Sequence, residues 1–446
     1  LALISVALTQ EAAAQITVSS LADLRTVAAA NNNSTITLTP GEYWLDGTHI
    51  ADPTNSEPIF LELGGSNNTY VLDGANLNVD TRSLGNYGRN LGHESAVIPV
   101  KISGSDNSVQ GLSLIGQDVD LDTQPDAKRH ADWGTTYVQF KGDNNSLTDA
   151  YVVTRGSSPY GLGDAFGKGA RNDMDPYISH RKAAGIQVHE ATNAYFSNID
   201  LDINTYGHGF FVQKSSDTTL ENATITGELA PSSNVIDHEL YQEHGHTWWG
   251  GPIHEDVMIS AAEDGVRAYG TIDGVTVTNM TVRNVVVTNM RTGFATAIAK
   301  GDILLENVES YGAETNFAVG RNHTVINGKG DMVNGPLYNA PYDNVSNTSV
   351  ELELVGEAPV GKNWNVGYIT GDNVDVSISS SLTAEDIPED SYVRLGQVFY
   401  QDWRDWQTTD PNDKPSYDLI DSTFTNNTSQ MLIMGINVSG KVGSSQ

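Results

Sequence analysis

No cysteine occurs in the 446 residues, so a disulfide framework, thiol catalysis and thiolate metal sites are excluded. Long apolar runs are missing as well, and nothing approaches the roughly 20 residues of a membrane-spanning helix. Positive charge is scarce: 24 Lys and Arg stand against 56 Asp and Glu, a formal net charge of −32. A surface of that sign repels nucleic acid and anionic membranes, so neither is expected as a partner. Hydrophobic residues make up only 38%, enough for a core but below the usual share. Because bases are few, the places where they gather are informative.

What the chain has in quantity is Gly (43 residues), with Asn, Thr, Ser and Val, a composition that favours strands and turns over helix bundles. Residues 1–8 read as the tail of a signal-peptide apolar region. Ala12, Ala13 and Ala14 before Gln15 form a small-residue cleavage site. The expectation is a signal remnant over 1–14, a secreted or periplasmic protein, and one domain over 15–446.

Past a short helical candidate at 20–30, a two-beat unit recurs: a short alternating strand, a polar turn rich in Asn, Asp and Gly, then a second strand. The gap between the two strands is seven residues in most copies, as from Ile102 to Val109, Phe140 to Leu147, Val188 to Tyr195 and Ala268 to Val275. Uninterrupted copies begin about 24 to 28 residues apart, a solenoid period. Stacked coils of short strands satisfy it, each burying its apolar side against its neighbours. The C-terminal residues 430–438 are expected to close the last coil.

The coil text, such as 274–286, and the opening segment 34–43 after a short helix resemble the right-handed parallel β-helix of the pectin-lyase-like superfamily. The likeness spans roughly 16–438. It implies an all-β, single-stranded right-handed parallel β-helix with a short N-terminal capping helix and long loops on one side. It also implies a secreted protein acting on a polysaccharide along the side of the helix. Gly207-His208-Gly209 matches one polygalacturonase motif, but the accompanying motifs are absent in the expected order, which disfavours that family.

Three segments, 184–189, 208–213 and 264–269, share a Gly-apolar-x-apolar pattern, so they read as stacked rungs. One outward file then reads Lys101, Gln139, Gln187, Phe211, Arg267, Ala295. The other reads Ser103, Lys141, His189, Gln213, Tyr269, Ala297. Both carry polar and ionisable residues in the middle coils and turn to Ala beyond them, as a bounded groove would. Elimination from a uronate sugar needs a cation or amide on the carboxylate, a base for the α-proton and an acid for the leaving oxygen. The candidate catalytic residues are His189, Arg267, Tyr269, His208 and Lys182, with His189 as base and Tyr269 as acid. Lys141, Gln187, Gln213 and Arg291 are expected to bind substrate. The function expected is a lyase that cleaves an acidic, uronate-containing polysaccharide. A hydrolase would instead need paired carboxylates, and Glu239, Glu255, Asp256, Glu263 and Asp264 are the candidates. A non-catalytic carbohydrate-binding β-helix is the third reading.

Two insertions interrupt the coils, near 156–177 and 228–259. The second places Trp248 and Trp249 where they could stack on sugar rings as a cleft wall. Its His and carboxylate residues match no standard zinc spacing. No cofactor is required by the sequence, and calcium is the metal its carboxylates would accept.

Overall fold

The structure, a computed structural model, describes residues 13–50, 58–88, 96–117, 134–157, 182–237, 258–340, 345–356, 365–383, 386–387, 391–396, 419–428 and 432–435. The chain opens with the strand Ala14–Val18 and the helix Leu21–Ala30. Ser20 caps that helix, its hydroxyl accepting the Asp23 backbone N–H at 3.1 Å. Leu21, Leu24 and Ala28 are buried, and the helix packs on the strand Ile59–Leu63. This is the expected N-terminal cap.

Parallel ladders follow. Among the described residues the front sheet has twelve strands, from Ile59–Leu63 and Ala96–Ile102 through Gly134–Asp143, Lys182–Thr192, Phe210–Gln213, Asp264–Ala268 and Thr292–Ala295 to Leu432–Gly435. At about 4.8 Å per rung, it extends for about 50 Å. The second sheet is built from the return strands, such as Ser146–Thr154, Tyr195–Ile203, Thr219–Thr226 and Met280–Thr288, also parallel. The architecture is a parallel β-helix. Its interior is a stack of like on like: Phe140 meets Phe196 at 4.6 Å between ring centroids, Phe196 meets Phe210 at 5.0 Å, and Phe294 stacks on Phe317 at 5.2 Å.

The glycines shared by the three matching segments have a steric cause. A Cβ on Gly185 would lie 2.5 Å from the Gly209 carbonyl, and one on Gly209 would lie 2.5 Å from a methyl of Ile225. Successive coils therefore meet backbone to backbone at this corner.

The bends are made by Asn and Asp. Asn67, Asp106 and Asn144 take positive φ and point outward, while the next residues, Asn68, Asn107 and Asn145, turn inward and are buried. Each buried amide accepts a backbone N–H of the preceding coil: Ser34 to Asn68 at 3.1 Å, Asn68 to Asn107 at 2.9 Å, Asn107 to Asn145 at 2.9 Å. Its NH₂ donates to two carbonyls; Asn107, for example, reaches Ser103 at 2.8 Å and Gly65 at 2.9 Å.

Two details of the sequence register are corrected. The partner of Leu147 is Phe196, fully buried, whereas Tyr195 is 38% exposed. The gap from Val188 is therefore eight residues, and the extra one is accommodated by a bulge after His189, where Gly142 pairs with Ala191. Val275 likewise does not begin a return strand. It sits in a small antiparallel bridge with Ile272, and the strand stacked on Thr219–Thr226 is Met280–Thr288.

Candidate active site

The first outward file is in the expected register: Lys101, Gln139, Gln187, Phe211, Arg267 and Ala295 are successive Cα partners across five ladders. In the second file His189 pairs with Gln213, and Tyr269 follows on the next rung, its N–H bonding the Val212 carbonyl at 3.0 Å. The first file does not end in alanine. Past Ala295 and Ala318 it continues to Asn339, Tyr368 and Arg394. Asn339 and Tyr368 are buried although they face away from the core.

The rung corner beside Gly209 and Gly265 collects the ionisable groups. His208 precedes Gly209 and Asp264 precedes Gly265, and the Gly209 N–H bonds the Asp264 carbonyl at 2.9 Å. His208 Nε2 is 2.9 Å from the Tyr269 hydroxyl and 3.6 Å from Glu263 Oε2. Its Nδ1 lies 3.3 Å from both the backbone N–H and the Oδ2 of Asp264. Around these groups stand three cations. Lys182 Nζ donates to Glu263 Oε1 at 2.9 Å, and Arg267 donates to Asp264 Oδ2 at 3.0 Å. Arg291 spans both carboxylates, at 3.5 Å to Glu263 and 3.0 Å to Asp264. Arg267 also lies over the Tyr269 ring, 5.0 Å from its centroid, and Phe211 closes the floor 5.4 Å from the His208 ring.

Burial sets the protonation states. It pushes the His208 imidazole down to about 4 against the pull of Glu263 and Asp264, so the ring is neutral at pH 7. Burial pushes the Tyr269 phenol up to about 12, so it keeps its proton. Burial alone would raise Glu263 and Asp264, but the cations outweigh it. Lys182 and Arg291 hold Glu263 well below the carboxylate range, and Arg291 and Arg267 do the same for Asp264. Glu314, a further buried carboxylate, stands on the rung next to Arg291, so the formal balance is three cations and three carboxylates around a neutral His.

The structure thus brings together Lys182, His208, Arg267, Tyr269, Glu263 and Asp264. His189 stands apart. It is two rungs from Tyr269, about 10 Å, and its Nε2 faces Glu190 at 3.3 Å. Arg291 is only 3% exposed, beneath the carboxylates and out of reach of a polymer. Gln187 and Gln213 line the floor, half-buried, and Lys141 pairs with Glu190 at 3.4 Å. Trp248, Trp249, Glu239, Glu255 and Asp256 lie outside the described residues, and so does most of the expected loop at 156–177. Among the described residues no group of three His, Asp or Glu is placed to hold a metal ion, and no helix is long and apolar enough to cross a membrane. Sequence reasoning passed over Glu190, although its position directly after His189, where earlier coils have Gly104 and Gly142, was a visible signal.

No protein-family description matches this chain, and no curated protein matches its sequence. Solved structures do share the course of the chain. One is an alginate lyase from Paenibacillus sp. strain FPU-7: 11% identity, 96% of this chain and 99% of that one, TM-score 0.40. The polygalacturonase of Erwinia carotovora ssp. carotovora is similar at 10% identity, 98% and 99% coverage and TM-score 0.41. An endo-xylogalacturonan hydrolase from Aspergillus tubingensis stands at 14%, 97%, 99% and 0.42. At these values no residue-level correspondence follows, and the parallel β-helix rests on the ladders described above.

Proposed function

We propose that the chain is a polysaccharide lyase that cleaves a uronate-containing glycan by β-elimination, with His208 as base and Tyr269 as acid. The observation that carries this reading is the neutral His208 hydrogen-bonded to a protonated Tyr269 at 2.9 Å, with the part-exposed cations Lys182 and Arg267 beside them. Asp264 presents Nδ1 with both a backbone N–H and a carboxylate oxygen at 3.3 Å; the lyase would use the tautomer whose Nδ1–H faces the carboxylate, which leaves Nε2 as the acceptor. A uronate carboxylate seated against Arg267 and Lys182 makes the α-proton acidic. Its negative charge also raises the basicity of His208. Nε2 takes the proton, the C–H electrons form the C=C bond, and the C–O bond to the leaving sugar breaks. Tyr269 protonates the departing oxygen. The imidazolium then returns its proton to the phenolate across the existing 2.9 Å contact, so the reaction balances without an external proton.

Hydrolysis fits the described carboxylates less well. Glu263 and Asp264 are both held ionised, and a glycosidase needs one carboxylic acid that is protonated. A polymeric substrate carries with it a secreted or periplasmic location.

The test is the absorbance of an unsaturated uronate product when acidic glycans are supplied. His208→Ala should lower turnover by roughly a thousandfold, within the range for a general base, while His189→Ala retains most of it. Loss at His189 with activity kept at His208 would reverse the assignment of the base. New reducing ends without unsaturation would replace the lyase by a hydrolase, and binding without product would leave a carbohydrate-binding protein.

A further inference from the structure

On the N-terminal side of the charged cluster the outward face of the front sheet changes chemistry. Gln139 donates to Gln187 at 2.9 Å, and Gln187 donates to Gln213 at 2.9 Å, making a row of head-to-tail amides. The row begins one rung from Tyr269 and runs for about 10 Å, roughly the length of two sugar residues. Gln139 is only 4% exposed, and its Oε1 has no hydrogen-bond partner among the described residues. Amides donate and accept without charge, which suits hydroxyl groups.

The cations along this flank are matched by carboxylates. Lys101 faces Glu62 at 3.6 Å. Lys141, Lys214 and His189 converge on Glu190 at 3.4, 3.5 and 3.3 Å, and Lys214 also meets Asp273 at 2.5 Å. Three lysines thus stand against three carboxylates. Exposed pairs of this kind contribute little as bonds, but balanced charges within a Debye length leave little net field for an anionic sugar.

Glu190 is held there against its backbone preference. It has φ 53°, and Lys214 in the next coil has φ 49°. The two preceding coils put Gly104 and Gly142 directly after the same floor position, with φ 82° and 88°. Every other non-Gly residue of positive φ among those described is Asn or Asp. A Glu in this region costs about 1 kcal/mol, so the fold carries strain to keep a carboxylate beside those bases.

We propose that this flank binds uncharged sugar, so that the substrate is a heteroglycan in which uronate alternates with neutral residues. The uronate sits at Arg267 and Lys182, whose side chains are part-exposed, and its neutral neighbours lie along Gln139, Gln187 and Gln213. This inference rests on the lyase reading for the uronate subsite, and binding tests it separately from turnover.

The experiment uses the full chain carrying Tyr269→Phe and measures binding of hexasaccharides by calorimetry. Hyaluronan and unsulfated chondroitin represent alternating glycans; polygalacturonate and polymannuronate represent homopolyuronates. The alternating hexasaccharides should bind about tenfold tighter, a 1.4 kcal/mol difference. Adding Glu190→Gly releases Lys141, while Lys214 stays on Asp273, and should move that ratio by about fivefold toward the homopolyuronates, about 1 kcal/mol. The variant relieves a left-handed side chain, so an unchanged or higher melting temperature verifies that it folds. Equal or tighter binding of homopolyuronates, binding of neither class, or a ratio unmoved by Glu190→Gly would overturn the inference. Unsaturated product is scored in parallel on the unmodified protein. Its absence from every glycan sinks the lyase reading, while the binding ratio still decides the flank.

Discussion

Two buried polar networks lie in neighbouring parts of this helix, and they are built on opposite plans. At the bends, Asn68, Asn107 and Asn145 form a neutral ladder in which each amide oxygen accepts one backbone N–H and each NH₂ serves carbonyls of two coils. No group in it titrates and none faces the groove. At the corner of the front sheet, Lys182, His208, Glu263, Asp264, Arg267 and Arg291 form a charged network whose protonation states are fixed by burial and by one another. A neutral ladder is sufficient to satisfy buried backbone groups, so fold maintenance does not require the charged one. Desolvating ions costs several kcal/mol each, which is why the charged corner is read as a site and the amide ladder as scaffold.

The largest effect that separates the two is expected from Asp264→Asn. It leaves Arg267 and Arg291 without their shared carboxylate in a buried setting and frees the His208 tautomer. Breaking one side of such a pair costs about 3 to 5 kcal/mol, measured by denaturant unfolding, and turnover should fall as well. Asn107→Ala should cost about 2 to 3 kcal/mol because it orphans the Asn68 N–H, yet kcat and KM should remain unchanged. If Asn107→Ala altered kcat, or Asp264→Asn left turnover intact, the division between site and scaffold would fail.

The same contrast predicts a pH dependence. His208 has its folded pKa lowered to about 4 from an ordinary 6.5, so the unfolded chain binds more protons between those values. Stability therefore rises with pH across that window and is lost on acidification through it, by about 3 kcal/mol. The depressed Glu263 and Asp264 contribute stability above the ordinary carboxylate range and lose it as pH falls further. The amide ladder should add nothing to this slope. Asn107→Ala should shift the stability curve down uniformly, and His208→Gln should flatten it between pH 4 and 6.5. A slope that survives His208→Gln would assign the acid sensitivity elsewhere.

The helix was legible because burial on one face of every strand imposes a period that a sequence displays openly. The register of Lys101, Gln139, Gln187, Phe211 and Arg267 followed from it, and so did the grouping of Arg267 with Tyr269. The identity of the histidine that meets Tyr269 did not. His208 and His189 both lie on matching segments, and only the three-dimensional corner shows that His208 reaches Tyr269 while His189 turns to Glu190. The bulge after His189 was hidden for a related reason. Tyr195 and Phe196 are both aromatic, so the apolar pattern alone could not say which faced inward. Electrostatic roles depend on which ions share a buried space, and sequence spacing does not contain that information.

The smallest effect should come from the outer turn of the second sheet, where Asn222, Asn284 and Asn307 stack with φ between 52° and 54°. Asn284 donates to Asn222 at 3.1 Å and accepts from Asn307 at 3.2 Å, all of it exposed. Exposed amide contacts of this kind are replaceable by water, so their loss alone should be small. The backbone is the larger part: Asn tolerates the left-handed region, Gly has no penalty there, and Ala pays for its Cβ. Asn284→Ala should therefore cost about 1 kcal/mol, and Asn284→Gly only a few tenths, roughly the value of one exposed hydrogen bond offset by conformational freedom. Equal losses for the two variants would mean that the side-chain ladder, and not the turn conformation, selects asparagine on the outside of the coils. The neutral ladders inside and outside would then work by the same principle.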